Sequence, residues 1–235
     1  LTGEEKITSV IAIRSFDEKK EKESYLLRAT RNGTAKRTSL SDFANIRRTG
    51  IAAISLAEGD VLVDVQHTYG SDEVIMGSKN GRAIRFAETD LRVMGRQARG
   101  VRGMRLSKGD QVVGMEACPE KSEKTLLTVC AKGYGKRTDL SEYRDQRRGG
   151  GGIITIKASE RNGEVIGIKL VTNSDDLMLM TVSGMTIRMQ CKVIKTISRN
   201  TQGVRLVKLK EEDKVARVAP LQEESAPLEL NLEKE

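Results

Sequence analysis

The sequence predicts an all-β fold, a propeller-like ring or arc of small sheets, and three observations carry that prediction. One pattern recurs four times along the 235 residues, at a period of about 50. The segments inside each copy are short, rich in β-branched residues and bounded by turn signals such as Asn32-Gly33, Asn80-Gly81 and Glu58-Gly59-Asp60. No segment keeps a 3.6-residue apolar period beyond about two turns. A sheet module of ~50 residues cannot bury both of its faces alone, so neighbouring copies must supply the opposing surfaces.

Within each copy the elements follow one order: a short apolar strand, a second strand, a glycine turn, a basic strand, a basic loop, and a glycine that opens one more strand. The first strands are read at 7–13, 61–65, 112–115 and 165–168. The turn glycines are Gly33, Gly81, Gly133 and Gly184, spaced by 48, 52 and 51 residues, each followed four residues later by Arg37, Arg85, Arg137 or Arg188. The loop-closing glycines, Gly50, Gly100, Gly152 and Gly203, are spaced by 50, 52 and 51 and lead into apolar segments at 51–54, 101–104, 153–156 and 204–207. A fifth first-position strand at 215–218 has no module of its own and is expected to complete a blade made elsewhere. The repeats divide at about 3–57, 58–108, 109–160 and 161–212, with a closing strand at 213–219, so that 1–219 forms one domain. Residues 220–235, with five Glu and one Lys, read as a disordered acidic tail able to compete for a basic rim or merely to solubilise. The first residue is Leu1 and not Met, which reads as a piece of a longer protein.

Charge narrows the function. Lys and Arg total 41 against 33 Asp and Glu, a net +8, and setting the tail's −4 aside leaves +12 on residues 1–219. That balance favours a polyanionic partner, because each cation placed on a phosphate releases a condensed counterion. Aromatic residues are 3% of the chain with no Trp, too few for the stacking platforms of single-strand or RNA binders, so duplex DNA is the expected partner. The three cysteines, Cys118, Cys130 and Cys191, are widely spaced, and His67 is the only histidine, which leaves little material for a metal centre or a disulfide scaffold. No metal and no cofactor are expected. No stretch reaches the ~18 apolar residues of a membrane span, so no membrane contact and a cytoplasmic location are expected.

The arginines concentrate in the loops before the closing glycines. These carry Arg47 and Arg48; Arg96 and Arg99; Gln146, Arg147, Arg148, Gly149, Gly150, Gly151 and Gly152; and Arg199. Equivalent modules should set the loops at one height and turn scattered cations into a stripe, with Lys36, Arg37, Arg85, Lys136, Arg137 and Arg188 of the basic strands added to it. Without β-carbons, the Gly149 to Gly152 run is expected to let backbone N–H groups approach a phosphate. Arg147 and Arg148 supply planar bidentate donors. A flexible turn beside two solvated arginines is the bland alternative.

The run Gln146-Arg147-Arg148-Gly149-Gly150-Gly151-Gly152 resembles the gyrase A box, usually Gln-Arg-Arg-Gly-Gly-Lys-Gly, the signature of DNA gyrase A C-terminal domains. Gly133-Tyr-Gly-Lys136-Arg137-Thr, Arg199-Asn-Thr-Gln-Gly203-Val and Gly100-Val-Arg-Gly-Met-Arg105 resemble that family's strands, and the likeness covers residues 4–219. The resemblance implies a β-pinwheel with strands swapped between blades, and duplex DNA wrapped around a basic rim for ATP-dependent negative supercoiling. It also implies partnership with the rest of the gyrase A protein, and with gyrase B, which hydrolyses ATP, in an A2B2 heterotetramer. Two departures stand out: the family usually has six blades with the box in the first, and Gly151 stands where the box has Lys. The C-terminal domain of the topoisomerase IV protein equivalent to gyrase A, and from another class a propeller scaffold for protein partners, remain alternatives.

No enzymatic motif competes with this reading. Arg137 follows Lys136 where a P-loop needs Ser or Thr, and the glycine run opens a strand and not a helix. No catalytic residue is assigned and the chain is not expected to be an enzyme by itself. Tyr134 and Tyr143 are expected to pack within strands, and His67 to lie in a loop between strands.

Overall fold

A computed structural model of the chain describes residues 7–13 and 23–221. Among these, fifteen strands form: β1 (Tyr25–Thr30), β2 (Thr34–Ser39), β3 (Leu62–Thr68), β4 (Asp72–Ser78), β5 (Arg82–Ala87), β6 (Val101–Arg102), β7 (Val112–Pro119) and β8 (Thr125–Cys130). They continue with β9 (Tyr134–Asp139), β10 (Ile153–Ile154), β11 (Val165–Val171), β12 (Asp176–Thr181), β13 (Thr186–Gln190), β14 (Val204–Arg205) and β15 (Val215–Leu221). Four antiparallel sheets result, ordered β3-β1-β2-β6, β7-β4-β5-β10, β11-β8-β9-β14 and β15-β12-β13. The all-β, propeller-like fold read from the repeat is the fold observed.

Each blade is a hairpin made locally, β1–β2, β4–β5, β8–β9 or β12–β13, completed by strands from later in the chain. The strand that follows each basic loop crosses back to the blade before it. Val101 pairs with Ala35, Ile153 with Ala83 and Val204 with Gly135, and each of those three partners lies two residues past its turn glycine. The expected fifth strand, β15, pairs with β12 and completes the last blade. It runs on through Pro220 and Leu221, two residues past the expected start of the tail. The remainder of that tail, 222–235, lies outside the described residues.

Strands β3, β7, β11 and β15 pack against one another in succession, and all four line a common cavity of about 250 Å³ together with Thr8 and Ser9. This is the hub, and the opposite edge of each sheet is the rim. At the hub the Lys169 ammonium lies 2.6 Å from Glu116 and 3.6 Å from Asp64, tying β11 to β7 and β3. Alternate residues of a strand feed two separate cores. On β8, Leu126 and Cys130 pack towards the second blade, whereas Leu127 and Val129 pack towards the fourth. Burial on both faces explains why these strands are continuous apolar runs.

Two expected strands do not form. Residues 7–13 and 51–54 carry no strand, although Ile11, Ile13, Ile51 and Ala53 pack on Leu26, Leu40 and Phe43 of the first blade. Apolar content directs them to a core, but no sheet edge among the described residues receives them. His67, expected in a loop, lies inside β3 against the Tyr69 ring, 5.1 Å between centroids. Tyr134 opens β9 as expected, but Tyr143 follows a short 3-10 turn (Leu140–Glu142) and its hydroxyl lies 2.5 Å from Thr155 Oγ1.

A turn motif recurs beside the hairpins. Asp60, Asp110 and Asp213 accept the N–H of Asn32, Asn80 and Ser183 at 3.0, 2.9 and 3.1 Å, fixing three hairpin turns. The preceding residue is left-handed, at φ +70 for Gly59 and +79 for Gly109. In the last copy that place is held by Glu212 at φ 67, the only non-glycine with positive φ among the described residues. An L-residue there costs about 1 kcal/mol. Glu212→Gly is therefore expected to raise stability by about 0.5–1 kcal/mol, read as a higher urea midpoint with unchanged slope.

Candidate nucleic-acid interface

The basic loops are docked on the blades by a repeated set of bonds. Six residues before each closing glycine, a backbone N–H reaches the carbonyl of the arginine four residues past a turn glycine. The pairs are Met94 to Arg37 (2.9 Å), Gln146 to Arg85 (3.0 Å) and Ile197 to Arg137 (2.9 Å). Beyond each closing glycine, two consecutive N–H groups converge on the turn-glycine carbonyl: Gly103 and Met104 on Gly33, Thr155 and Ile156 on Gly81, Leu206 and Val207 on Gly133. Three loops thus sit in one register on three consecutive blades. That register aligns Arg96, Arg148 and Arg199, each four residues before its closing glycine, with Arg147 one place earlier.

The loops also touch in series. Ser55 N–H donates to Ala98 O (3.4 Å), joining the first loop segment to the second. Gly149 N–H donates to Gly103 O at 2.6 Å, and Arg105 N–H to Gly150 O at 2.9 Å, joining the second to the third. Lys157 N–H donates to Thr201 O (2.8 Å) and Arg199 Nη1 to Ile154 O (2.9 Å), joining the third to the fourth. A continuous rim path results, on which Arg47, Arg48, Arg99, Arg147 and Arg148 are exposed and Arg96, Arg199 and Gln146 half-buried.

The basic-strand candidates lie elsewhere, and here the expectation of surface contacts is corrected. Lys36 and Lys136 are fully buried. Lys36 Nζ donates to Ala53 O at 3.0 Å and to Arg96 O. Lys136 Nζ donates to Ser198 O and Arg199 O, both at 2.5 Å. These ammoniums hold the loop carbonyls from beneath. Arg37 stacks on the Tyr25 ring and faces Glu88 at 3.8 Å. Arg85 binds Glu73 and the carbonyls of Leu140 and Tyr143, and Arg137 binds Ile194 O and Asn173. Arg188 alone is exposed, on the rim edge of the fourth blade, paired with Asp176 at 2.5 Å. Lys36, Lys136, Arg85 and Arg137 position the loops, because a buried cation spends its donors on the groups around it.

The glycine run is likewise engaged internally. Gly149 spends its N–H on Gly103, and the carbonyls of Gly151 and Gly152 accept from Arg82 Nε (2.8 Å) and Nη2 (2.6 Å). A Cβ on Gly152 would lie 2.5 Å from Ala83 O. The run therefore allows close docking on the second blade, which takes the Gly149 N–H out of the expected fan of donors. Arg148 is steered by the carbonyls of Asp90 (2.9 Å) and Arg102 (3.2 Å). Arg82 was missed by sequence reasoning. Its one signal is its place directly after Gly81 in the blade where Ile84 stands at the position of Lys36 and Lys136.

Burial depresses the two latch lysines from 10.5 to about 8, with the charge of Arg28 adding to the effect at Lys36. A folded-state value below the unfolded one means the unfolded chain binds more protons between the two, so this contribution makes the fold more stable as pH rises from about 8 to 10.5. Cys130 and Tyr143, both pushed up to about 12 by burial, act in the opposite sense at high pH. A comparison with the Lys36→Ile/Lys136→Ile variant removes that background. The native chain is expected to gain on the variant as pH rises through this window, in urea unfolding at each pH; a constant difference would contradict the assignment.

The family model described as DNA gyrase C-terminal domain, beta-propeller, matches residues 24–68, 72–119, 124–172 and 175–222. The chain belongs to the DNA gyrase C-terminal domain family. Each matched stretch holds one local hairpin, its loop and the following hub strand. The DNA gyrase A protein of Haloquadratum walsbyi is 44% identical over 214 residues, 91% of this chain and 25% of that protein. The DNA gyrase A protein of Staphylococcus epidermidis is 42% identical over 224 residues, 95% of this chain and 25% of that protein. The chain thus spans about a quarter of the length of these relatives. Among solved structures, a C-terminal domain of DNA topoisomerase IV aligns with TM-score 0.86 and 26% identity, over 94% of this chain and 68% of that one. A DNA gyrase A C-terminal domain aligns with TM-score 0.77 and 27% identity, over 85% and 66%. No helix among the described residues is long and apolar enough to cross a membrane.

Proposed function

We propose that the rim path binds the phosphate backbone of duplex DNA and bends the duplex across consecutive blades. The observation that carries this reading is the docking of three arginine-bearing loops in one register, each touching the next. Bending 20–30 base pairs through 40–90° costs on the order of 1–6 kcal/mol, which spaced contacts offset better than one dense patch. Contact is with phosphates and not with base edges, so sequence preference is weak. The chain performs no cleavage or ATP hydrolysis itself in this reading. It delivers bent DNA within a gyrase-type topoisomerase, an A2B2 assembly of gyrase A and gyrase B in the cytoplasm. The gyrase A relatives at 40–44% identity support gyrase, while the topoisomerase IV C-terminal domain that aligns with TM-score 0.86 supports topoisomerase IV as the second reading.

Ligation of nicked circles in the presence of the chain tests the reading. Bending along a ring of fixed hand shifts the linking number of the closed product in proportion to bound protein. A protein-binding scaffold with an incidental basic rim leaves the distribution unchanged, and that result would overturn the proposal.

A further inference from the structure

Beside the fourth loop, between the turn of the third hairpin and the crossover to the fourth blade, the chain forms an open hollow of about 400 Å³. Its wall carries Lys132, Arg161, Arg205, Lys208, Lys210 and Lys214. Two carboxylates, Glu212 and Asp213, face these six cations, and Asp213 is already spent on Ser183 N–H (3.1 Å), Ser183 Oγ (2.7 Å) and Lys214 N–H (2.8 Å). None of the ion pairs within 4.0 Å among the described residues involves any of the six. On the other hairpins Arg37, Arg85 and Arg188 have carboxylate partners, whereas Arg28, Arg31 and Arg82 bond to a hydroxyl or to carbonyls.

Tyr134 forms the floor. Its hydroxyl accepts from Arg205 Nη2 at 2.9 Å and Nε at 3.3 Å, and the guanidinium carbons of Arg161 and Arg205 stand 5.0 and 5.4 Å from its ring centroid. Arg161 is held in turn by Gln202 Oε1 at 3.3 Å, and Lys132 by Glu160 O at 2.6 Å. Two guanidiniums are thus pre-set around one concave space. The equivalents of Tyr134 in the other blades are Thr34, Arg82 and Met185, so this cavity is not part of the repeated rim device.

We propose that this cavity is a binding site for clustered phosphate groups. Unpaired cations converging on a concavity raise the local potential for a polyanion, and planar guanidiniums suit phosphate oxygens. With guanidiniums set against Tyr134, the ring offers no open platform for a base, so recognition goes through phosphates and ignores the nucleobase. The volume suits a compact oligophosphate or a single protruding backbone phosphate, and a whole duplex cannot enter. The site stands independently of the rim reading.

Tyrosine-ring NMR of the chain tests it, because Tyr25, Tyr69, Tyr134 and Tyr143 are the only four signals and Tyr134→Phe assigns the one concerned. Sodium tripolyphosphate is expected to shift Tyr134 saturably and to leave Tyr25 and Tyr143 in place. Lys208→Gln/Lys210→Gln, exposed positions that leave the fold intact, should weaken that response by about tenfold. If a short duplex shifts Tyr134 and competes with tripolyphosphate, the phosphates come from the DNA backbone; if it does neither, they come from a free oligophosphate. The Arg147→Gln/Arg148→Gln variant should keep the tripolyphosphate response even where duplex binding is lost, which separates the two sites. A Tyr134 signal unmoved by both probes, or moved equally in the lysine variant, would overturn the proposal.

Discussion

Replacing Arg147 and Arg148 together by Gln should weaken duplex binding by about 10–100-fold and lower the slope of log affinity against log salt by about 1.8. Both side chains are exposed on the loop that the second blade carries. Each removed phosphate contact takes about 0.9 from the slope, and a path engaging about 8 phosphates starts near −7. The two residues differ in kind. Arg148 also reaches Asp90 O and Arg102 O, so its loss loosens the loop as well as removing a charge. Arg147→Gln alone should therefore change the slope by about 0.9 with stability intact, whereas Arg148→Gln should also lower protection of the loop amides. Arg188→Gln serves as the control. That side chain sits on the rim edge of the fourth blade, paired with Asp176 and carrying no docked loop among the described residues, so little change is expected. Fluorescence anisotropy with a ~150-base-pair duplex at several salt concentrations reads all four. An unchanged slope in the double variant would remove these arginines from the interface.

The succession of blades and their loops were legible in the sequence because a repeat forces equal copies into equal environments. Once Gly33, Gly81, Gly133 and Gly184 shared one spacing with Gly50, Gly100, Gly152 and Gly203, equivalent docking was expected of every loop, and the loops closed by Gly100, Gly152 and Gly203 show it. The phase of the strands was not legible. A period states that Val101, Ile153 and Val204 are equivalent, but not that each pairs with the preceding blade, because strand pairing depends on which edge is open and no residue type encodes that. The basic residues were ambiguous for a similar reason. Lysine donates equally well to a phosphate and to a carbonyl, so Lys36 and Lys136 read as surface contacts although they are latches beneath the loops. The Gly149 to Gly152 run carried the same ambiguity, since a missing β-carbon permits approach to a ligand or to Ala83. The apolar segments at 7–13 and 51–54 have strand composition, yet they pack on the first blade without joining a sheet.

Because the segment that follows a closing glycine is seated on the turn glycine, Gly81→Ala and Gly184→Ala should differ sharply although both positions have the same backbone conformation. Their φ values are +80 and +87, so each alanine bears the left-handed penalty of about 1 kcal/mol. At Gly81 the new methyl group would also collide with the carbonyl oxygen of Ile156 and lie 3.2 Å from its Cγ2, whereas at Gly184 nothing stands within 4 Å. Overpacking against backbone adds about 1–3 kcal/mol, which puts the total near 3 kcal/mol at Gly81 and near 1 kcal/mol at Gly184. The functional consequences separate further. Relief of the collision moves Thr155 and Ile156 off the Gly81 carbonyl, and with them β10 and the loop that carries Arg147 and Arg148. Gly81→Ala should therefore lose duplex affinity under conditions where it is still folded, and Gly184→Ala should keep it. Urea unfolding paired with anisotropy on the same samples measures both. Equal costs at the two glycines would mean that β10 is not seated where the register of the second blade puts it, and the rim path would lose the anchor of its central loop.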